Sequence, residues 1–285
     1  MMDNSKILIT GGTGKTGSRI ARRLKELGYN VRTAGREQSA STIDEHVYFD
    51  WNDETTFDLA LKNANKVYLV APLLVMNPIE LMLPFLEKAL KSGVQRIVLL
   101  GSASVSEEGP VFGKVHQAVR QFAPEWAVLR PSYFFQNFTE GPHGATINRD
   151  GVIISATGPG RMGFVDADDI AEVGVRALID PQPHNTDHII TGPQSLSYAE
   201  AGGIIGAATG RTITHTHIET KELAAGMINL GMPEDYAIFL AGLDEGIKND
   251  GTEDLVTDTV ERVTGRPPRS LADFAKSHTA FWKKG

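Results

Sequence analysis

The chain has 285 residues, 41% hydrophobic and 22% charged, which suits a core of Rossmann size with a smaller appendage. Its formal net charge of −7 excludes a globally basic surface for nucleic acid or anionic membrane. It contains no cysteine, which excludes disulfides, thiolate metal sites and a cysteine nucleophile.

No stretch approaches the roughly 18 uninterrupted apolar residues of a membrane span. "MMDNSK" runs directly into an apolar strand without the layout of a signal peptide, so a cytoplasmic location is expected.

The first element is the strand "KILIT", residues 6–10, followed by glycines at 11, 12, 14 and 17. These satisfy G-x-G-x-x-G at 12, 14 and 17, and G-x-x-G-x-x-G at 11, 14 and 17. "SRIARRLKELG" then places Ile20, Leu24 and Leu27 at helical spacing and stops at Gly28. Gly14-Lys15-Thr16 imitates the end of a Walker A loop, but the position where that loop needs its first glycine is Ile9. The ATPase reading therefore fails on spacing. Strand, glycine turn and amphipathic helix come in the order of a dinucleotide-binding fold, with the helix N-terminus facing the pyrophosphate.

The second strand, "YNVRTAGRE", ends in Ala34-Gly35-Arg36 rather than in an acid. A carboxylate there would bond a ribose 2′-hydroxyl, whereas a guanidinium can grip a 2′-phosphate bidentately. Arg36 therefore points to NADPH. Glu37 beside it leaves NADH open as the lesser alternative, and Lys15 is a second residue for the phosphate. The competing reading of Arg36 is a solvated surface charge.

The alternation continues along the chain. "HVYFDWND" reads as a strand, "ETTFDLALKNA" as a helix started by Asp53 or Thr55, and "KVYLVAP" as a buried strand. "PIELMLPFLEKALKSG" is a helix closed by Gly93, "QRIVLLGSAS" a strand, and "GPVFGKVHQAVRQFAP" mostly helix. "EWAVLRPS" is a strand, "VDADDIAEVGVRALID" a helix capped by Asp166 or Asp168, and "DHIITGP" a late strand. Apolar strands alternating with helices predict an α/β fold: a Rossmann-type, doubly wound parallel sheet covered on both faces. After "TGPQSLSYAEAGGIIGAATG" the pattern changes to a strand, "RTITHTHIE", and helical stretches reaching Gly285. We therefore expect an NAD(P)-binding domain over 1–195 and a smaller, mainly helical substrate lobe over 196–285. "KELAAGMINLG" and "PEDYAIFLAGLDEGI" carry apolar faces suited to roof a pocket or to bury a core of their own.

Several blocks together resemble the NmrA-like, atypical short-chain dehydrogenase/reductase family: "ILITGGTGKTG", "VYLVAP", "LRPSYFFQNF", "FVDADDIAEVGVRAL", "TGPQSLSYAEA" and "TGRPPRSLADFAKSH". "GGTGKTG" and "TGRPPRSLADFA" look most similar to its ergot-alkaloid-biosynthesis branch, that of festuclavine and agroclavine dehydrogenases. The resemblance implies a cofactor turn at Gly11, Gly12, Thr13, Gly14, Lys15, Thr16 and Gly17. It also implies an adenine-side contact at Asp50 and Trp51, and a ribose-side contact at Ala71 and Pro72. Tyr133 and Phe134 would then lie near the nicotinamide. For Trp51 the competing reading is a partly buried core aromatic.

Typical short-chain reductases, by the same resemblance, use a Tyr with a Lys four positions later. None of the six tyrosines here, at 29, 48, 68, 133, 198 and 236, has that partner. Ser102 stands on the carboxyl edge of the sheet without its usual companions, and is expected beside the cofactor. The following helix carries Lys114 and His116, and the family often shows a histidine there. His116 and Tyr133 are accordingly the candidate catalytic residues, against readings as a helix-surface residue and a core aromatic. Ketone reduction needs a proton donor for the developing alkoxide. An imine, iminium, quinone or cationic dye is already electrophilic, so solvent can complete the proton transfer. The expected function is an NADPH-dependent reductase of such a small molecule. The alternative is an NADP(H)-binding redox sensor acting through a protein partner.

His215 and His217 in "THTH" share a strand face but lack a third ligand at convincing spacing, so no metal is expected. Asp166, Asp168 and Asp169 begin a helix, where capping and the macrodipole account for them. A hydrolase elbow G-x-S-x-G is absent, since "GSASV" has the wrong spacing.

Overall fold

The computed structural model describes residues 5–37 and 45–282. The last residues of the expected C-terminal helical stretch, 283–285, lie outside the described residues. In chain order the elements begin with β1 (Lys6–Thr10), α1 (Gly17–Glu26), β2 (Val31–Gly35), β3 (Glu45–Tyr48), α2 (Phe57–Leu61) and β4 (Ala64–Val70). They continue with α3 (Pro78–Lys91), β5 (Arg96–Leu100), α4 (Gly113–Phe122), β6 (Glu125–Pro131), α5 (Pro142–Asp150), β7 (Val152–Ser155) and β8 (Arg161–Met162). Then come α6 (Ala167–Ile179), β9 (Thr186–Ile190), β10 (Leu196–Ser197), α7 (Tyr198–Thr209) and β11 (Thr214–His217). The chain closes with α8 (Thr220–Asn229), α9 (Glu234–Asp250), α10 (Thr259–Thr264) and α11 (Leu271–Ser277).

Two compact units emerge: Met1–Arg130 with Ile170–Ile189, and Pro131–Asp169 with Ile190–Gly285. The division read from sequence at 195/196 differs, because residues 131–169 and 190–195 group with the second unit.

The first unit is organised by a seven-stranded sheet in the order β3-β2-β1-β4-β5-β6-β9. The pairings from β3 through β6 are all parallel. Side chains alternate across the pleat, so each strand supplies both faces. Leu8, Val67, Leu69, Ile97, Leu99 and Val128 join one core with Phe57 of α2, Phe85 of α3 and Val115 of α4. On the other face α6 approaches α1 closely: a Cβ on Gly174 would stand 2.8 Å from Ile20 Cδ1. Each fully buried Leu or Phe contributes about 1.5–3 kcal/mol, which explains the near-continuous apolar strands. Gly28 ends α1 with φ of 83°, the left-handed cap that its place in the sequence suggests.

Two local expectations change. The helix over "ETTFDLALKNA" is a 3-10 turn, Glu54–Thr56, followed by α2, and it stops before Lys62. The sheet takes the rest: Lys6 N donates to Asn63 O at 2.8 Å and Lys6 pairs with Ala64. The strand over "HVYFDWND" ends at Tyr48, because Asp50 starts a turn by accepting from Asn52 N at 3.0 Å.

The second unit contains two small sheets, β11 parallel to β7 and β10 antiparallel to β8. Its core gathers Phe135, Phe138, Phe164, Tyr198, Phe274 and Trp282. Trp282 Nε1 donates to Phe138 O at 2.7 Å, which ties the end of the described chain into that core. Ser197 and Glu200 form a capping box at the start of α7. Among the described residues no helix is long and apolar enough to cross a membrane.

Candidate cofactor and active site

The turn between β1 and α1 is built by contacts that only glycine permits. Gly11 takes φ of 63°, and its carbonyl accepts from Gly14 N at 2.9 Å. A Cβ on Gly17 would lie 2.3 Å from Gly11 O, and one on Gly12 would lie 2.6 Å from Thr33 Cβ. Among the described residues, the amides of Thr13, Lys15, Thr16 and Gly17 donate to no protein acceptor. The first turn of α1 carries no acid. Open amides, a positive helix end and a first turn free of acids suit an anion such as a diphosphate. Thr13 and Gly14 are exposed, Lys15 is half-buried and Thr16 is buried. Ile9, which the Walker A pattern would need as glycine, is fully buried in β1.

Arg36 leaves the carboxyl end of β2 exposed. Asp50, just beyond β3, is held below the ordinary carboxylate range, mainly by the Asn52 amide and also by the Arg36 guanidinium. Arg36 and Asp50 thus share one electrostatic neighbourhood at the ends of adjacent strands. Trp51 is half-buried, its ring centroid 4.8 Å from that of Phe49 and 5.3 Å from that of Phe85. This is the packing of a partly buried aromatic against the core. Ala71 and Pro72 follow β4, and a Cβ on Gly11 would stand 3.2 Å from Val70 Cβ, so the glycine turn lies against this strand end.

His116 sits on α4, one turn after Phe112, and is 6% exposed. It lines a cleft with Ser102, Val105, Phe112, Val128 and Arg130 that leaves no room for a water molecule between its walls. Burial holds the imidazole below its ordinary pKa; Arg130 and Arg120 act the same way, against Glu107 and Asp187. His116 is therefore neutral at pH 7, a hydrogen-bonding group rather than a ready acid. A clamp centred on Arg130, outside the residues expected from sequence, fixes the cleft. Arg130 donates from Nη1 to Asp187 Oδ2 at 2.7 Å, from Nε to Ser102 O and from Nη2 to Ala103 O, each at 3.3 Å. The only sequence signal for this clamp is a charged pair inside two apolar strands.

Tyr133 and Phe134 belong to the second unit. Both are half-buried, Phe134 bridges to Val165, and the Tyr133 ring lies 6.4 Å from that of Phe164. In the same unit His215 Nε2 meets Ser155 Oγ at 2.8 Å, and His217 Nε2 meets Lys248 Nζ at 3.2 Å. Asp166 accepts from Asp168 N at 2.9 Å as a helix cap, while Asp169 is bound by Arg266.

The strand order, the crossovers and the glycine turn define a Rossmann-type nucleotide-binding fold. The model of the NmrA-like family matches residues 3–263, and the chain belongs to that family. It is 55% identical to YesF of Bacillus subtilis, named an uncharacterized oxidoreductase, over 99% of this chain and 98% of the other. It is 36% identical to agroclavine dehydrogenase of Claviceps fusiformis, covering 97% of this chain and 98% of that one. Among solved structures it is similar to an NADPH-dependent quinone oxidoreductase from Escherichia coli complexed with NADPH. There the TM-score is 0.80 at 20% identity, covering 95% of this chain and 99% of that one, a likeness of fold.

Proposed function

We propose that this protein is an NAD(P)H-dependent oxidoreductase that reduces an electron-poor small molecule: an imine, an iminium or a quinone. The observation that carries this reading is the β1–α1 turn, whose free amides and missing side chains match a dinucleotide's diphosphate. The oxidoreductase and dehydrogenase names of full-length relatives support it. Gly11, Gly12, Thr13, Gly14, Lys15, Thr16 and Gly17 would hold the diphosphate. Asp50 and Trp51 would lie on the adenine side, with Ala71, Pro72, Ser102 and Phe134 towards the nicotinamide. Arg36, exposed and uncommitted to any carboxylate within ion-pair distance among the described residues, favours NADPH over NADH.

A bound nicotinamide supplies a hydride from C4. Delivered to an iminium carbon, that hydride completes a neutral amine without any proton. Delivered to a quinone, it needs one further proton, which water provides. A neutral His116 and the absence of Tyr-x-x-x-Lys agree with acceptors of this kind. The chain's part is then to orient donor and acceptor, with His116 and Tyr133 as the side chains that contact them. The narrowness of the His116 cleft favours the alternative, a redox sensor that binds NADP(H) and signals to a protein partner.

Stopped-flow oxidation of NADPH against a panel of cyclic imines, iminium salts, quinones and triphenylmethane dyes separates the two. Turnover with at least one acceptor is expected. Tight NADPH binding with no turnover across the panel would replace the reductase with the sensor.

A further inference from the structure

Buried carboxylates in the second unit come with partners. Asp169, fully buried, accepts from Arg266 Nη1 at 2.9 Å and from Arg269 N at 2.7 Å. Asp166 accepts from Gln136 Nε2 at 2.9 Å and lies 3.8 Å from Arg269. Asp244 of α9 is different. It is 8% exposed, its Oδ2 accepts from Ala156 N at 2.9 Å, and no cation among the described residues pairs with it. Its Oδ1 receives no hydrogen bond from the described residues either.

The surroundings supply rings and neutral donors, not charge. Ser155, next to Ala156, is engaged by His215, and the His215 ring lies 5.7 Å from that of Tyr198. The Tyr198 hydroxyl pairs with His143 Nε2 at 3.0 Å. Burial holds both imidazoles below their ordinary pKa, His143 at about 4, so neither offsets the carboxylate. Lys248, one turn further along α9, is turned to His217. Among the described residues no cluster of His, Asp or Glu could hold a metal. Burial holds the Asp244 carboxyl above its ordinary range, against the Ala156 amide, and burial followed by Asp244 itself raises the Tyr198 phenol beside it. A nearly buried carboxyl without a cation, next to an aromatic ring, has the chemistry that an arriving organic cation would complete.

We propose that Asp244 is the anionic binding point for a positively charged organic nitrogen, the iminium group of a cyclic acceptor. The inference rests on the reductase reading for the purpose of that cation, but its test uses neither NADPH nor turnover. Full-length protein is titrated by calorimetry with N-methyl-3,4-dihydroisoquinolinium, which is permanently charged, and with neutral 1,4-naphthoquinone. Asp244→Asn keeps the size and the acceptor for Ala156 N while removing the charge. The variant should weaken the cation at least tenfold and leave the quinone within twofold. An unchanged cation affinity, equal losses for both ligands, or no cation binding by the wild-type protein overturns the assignment. Independently of the variant, a crystal of the wild-type complex should place the nitrogen beside Asp244 Oδ1, and a cation lodged elsewhere is equally fatal. Failure of the reductase reading would appear instead as absent NADPH turnover with charge-dependent binding intact.

Discussion

The Tyr68 hydroxyl donates a hydrogen bond to Thr16 Oγ1 at 2.8 Å, joining the middle of β4 to the residue that precedes α1. Thr10 extends the link: its Oγ1 donates to Tyr68 O at 3.2 Å and accepts from Val70 N at 2.8 Å. Burial raises the Tyr68 phenol above its ordinary range, so it stays a donor at all working pH values. Tyr68→Phe removes one buried hydrogen bond, costing about 1 kcal/mol of stability. If Thr16 belongs to the cofactor cradle, NADPH affinity should fall by about fivefold. Calorimetric titration beside thermal melting checks both, and an unchanged affinity would detach Thr16 from the cradle.

Gly17→Ala puts a Cβ where Gly11 O already stands, at 2.3 Å. The turn must shift, at about 1–3 kcal/mol, and NADPH affinity should drop by roughly tenfold to a hundredfold. Gly203→Ala, on the exposed side of α7 with nothing within 4 Å, is the matched control. It should raise stability by about 0.5–1 kcal/mol and leave binding alone. Equal binding by the two variants would count against a diphosphate at this turn.

Arg36→Ala tests the choice of dinucleotide. A charge-assisted contact to a 2′-phosphate is worth about 1.5–3 kcal/mol, so NADPH should weaken by about tenfold or more. NADH lacks that phosphate and should change by less than about twofold. Fluorescence titration with both cofactors reads the difference, and parallel losses would return Arg36 to the solvated surface.

His143 predicts an acid-sensitive second unit. Its folded pKa, about 4, is depressed by burial and then by His215. The unfolded chain, with a value near 6.5, therefore takes up the proton first. The stabilising effect is complete above about pH 6.5 and declines as pH falls, reaching a loss of about 3 kcal/mol near pH 4. Urea unfolding from pH 7 to 4 should show this slope, reduced in His143→Gln. An identical slope in the variant would assign the loss to other groups.

The sheet was legible because its signals are local. "KILIT" followed by four glycines and an amphipathic run needs no distant partner to be recognised. The same holds for Gly28, whose left-handed φ follows from its place at a helix end. The short elements α5, β7 and β8 were not legible, being too brief or too polar to show a period. Their stability comes from partners elsewhere: β7 exists as a strand by pairing with β11, some sixty residues later in register Ile153 to His215.

By itself the amino-acid sequence determined a Rossmann-type sheet, the glycine turn and the NmrA-like kinship, since strand periodicity and glycine spacing are written within a few tens of residues. Tertiary structure alone decided that Arg130 clamps the Ser102 loop, that Tyr68 reaches Thr16, and that among the described residues Asp244 meets no cation while Asp169 meets Arg266. Pairing and desolvation belong to side chains that meet only after the chain has folded. No spacing along the sequence records whether a buried charge has found its partner.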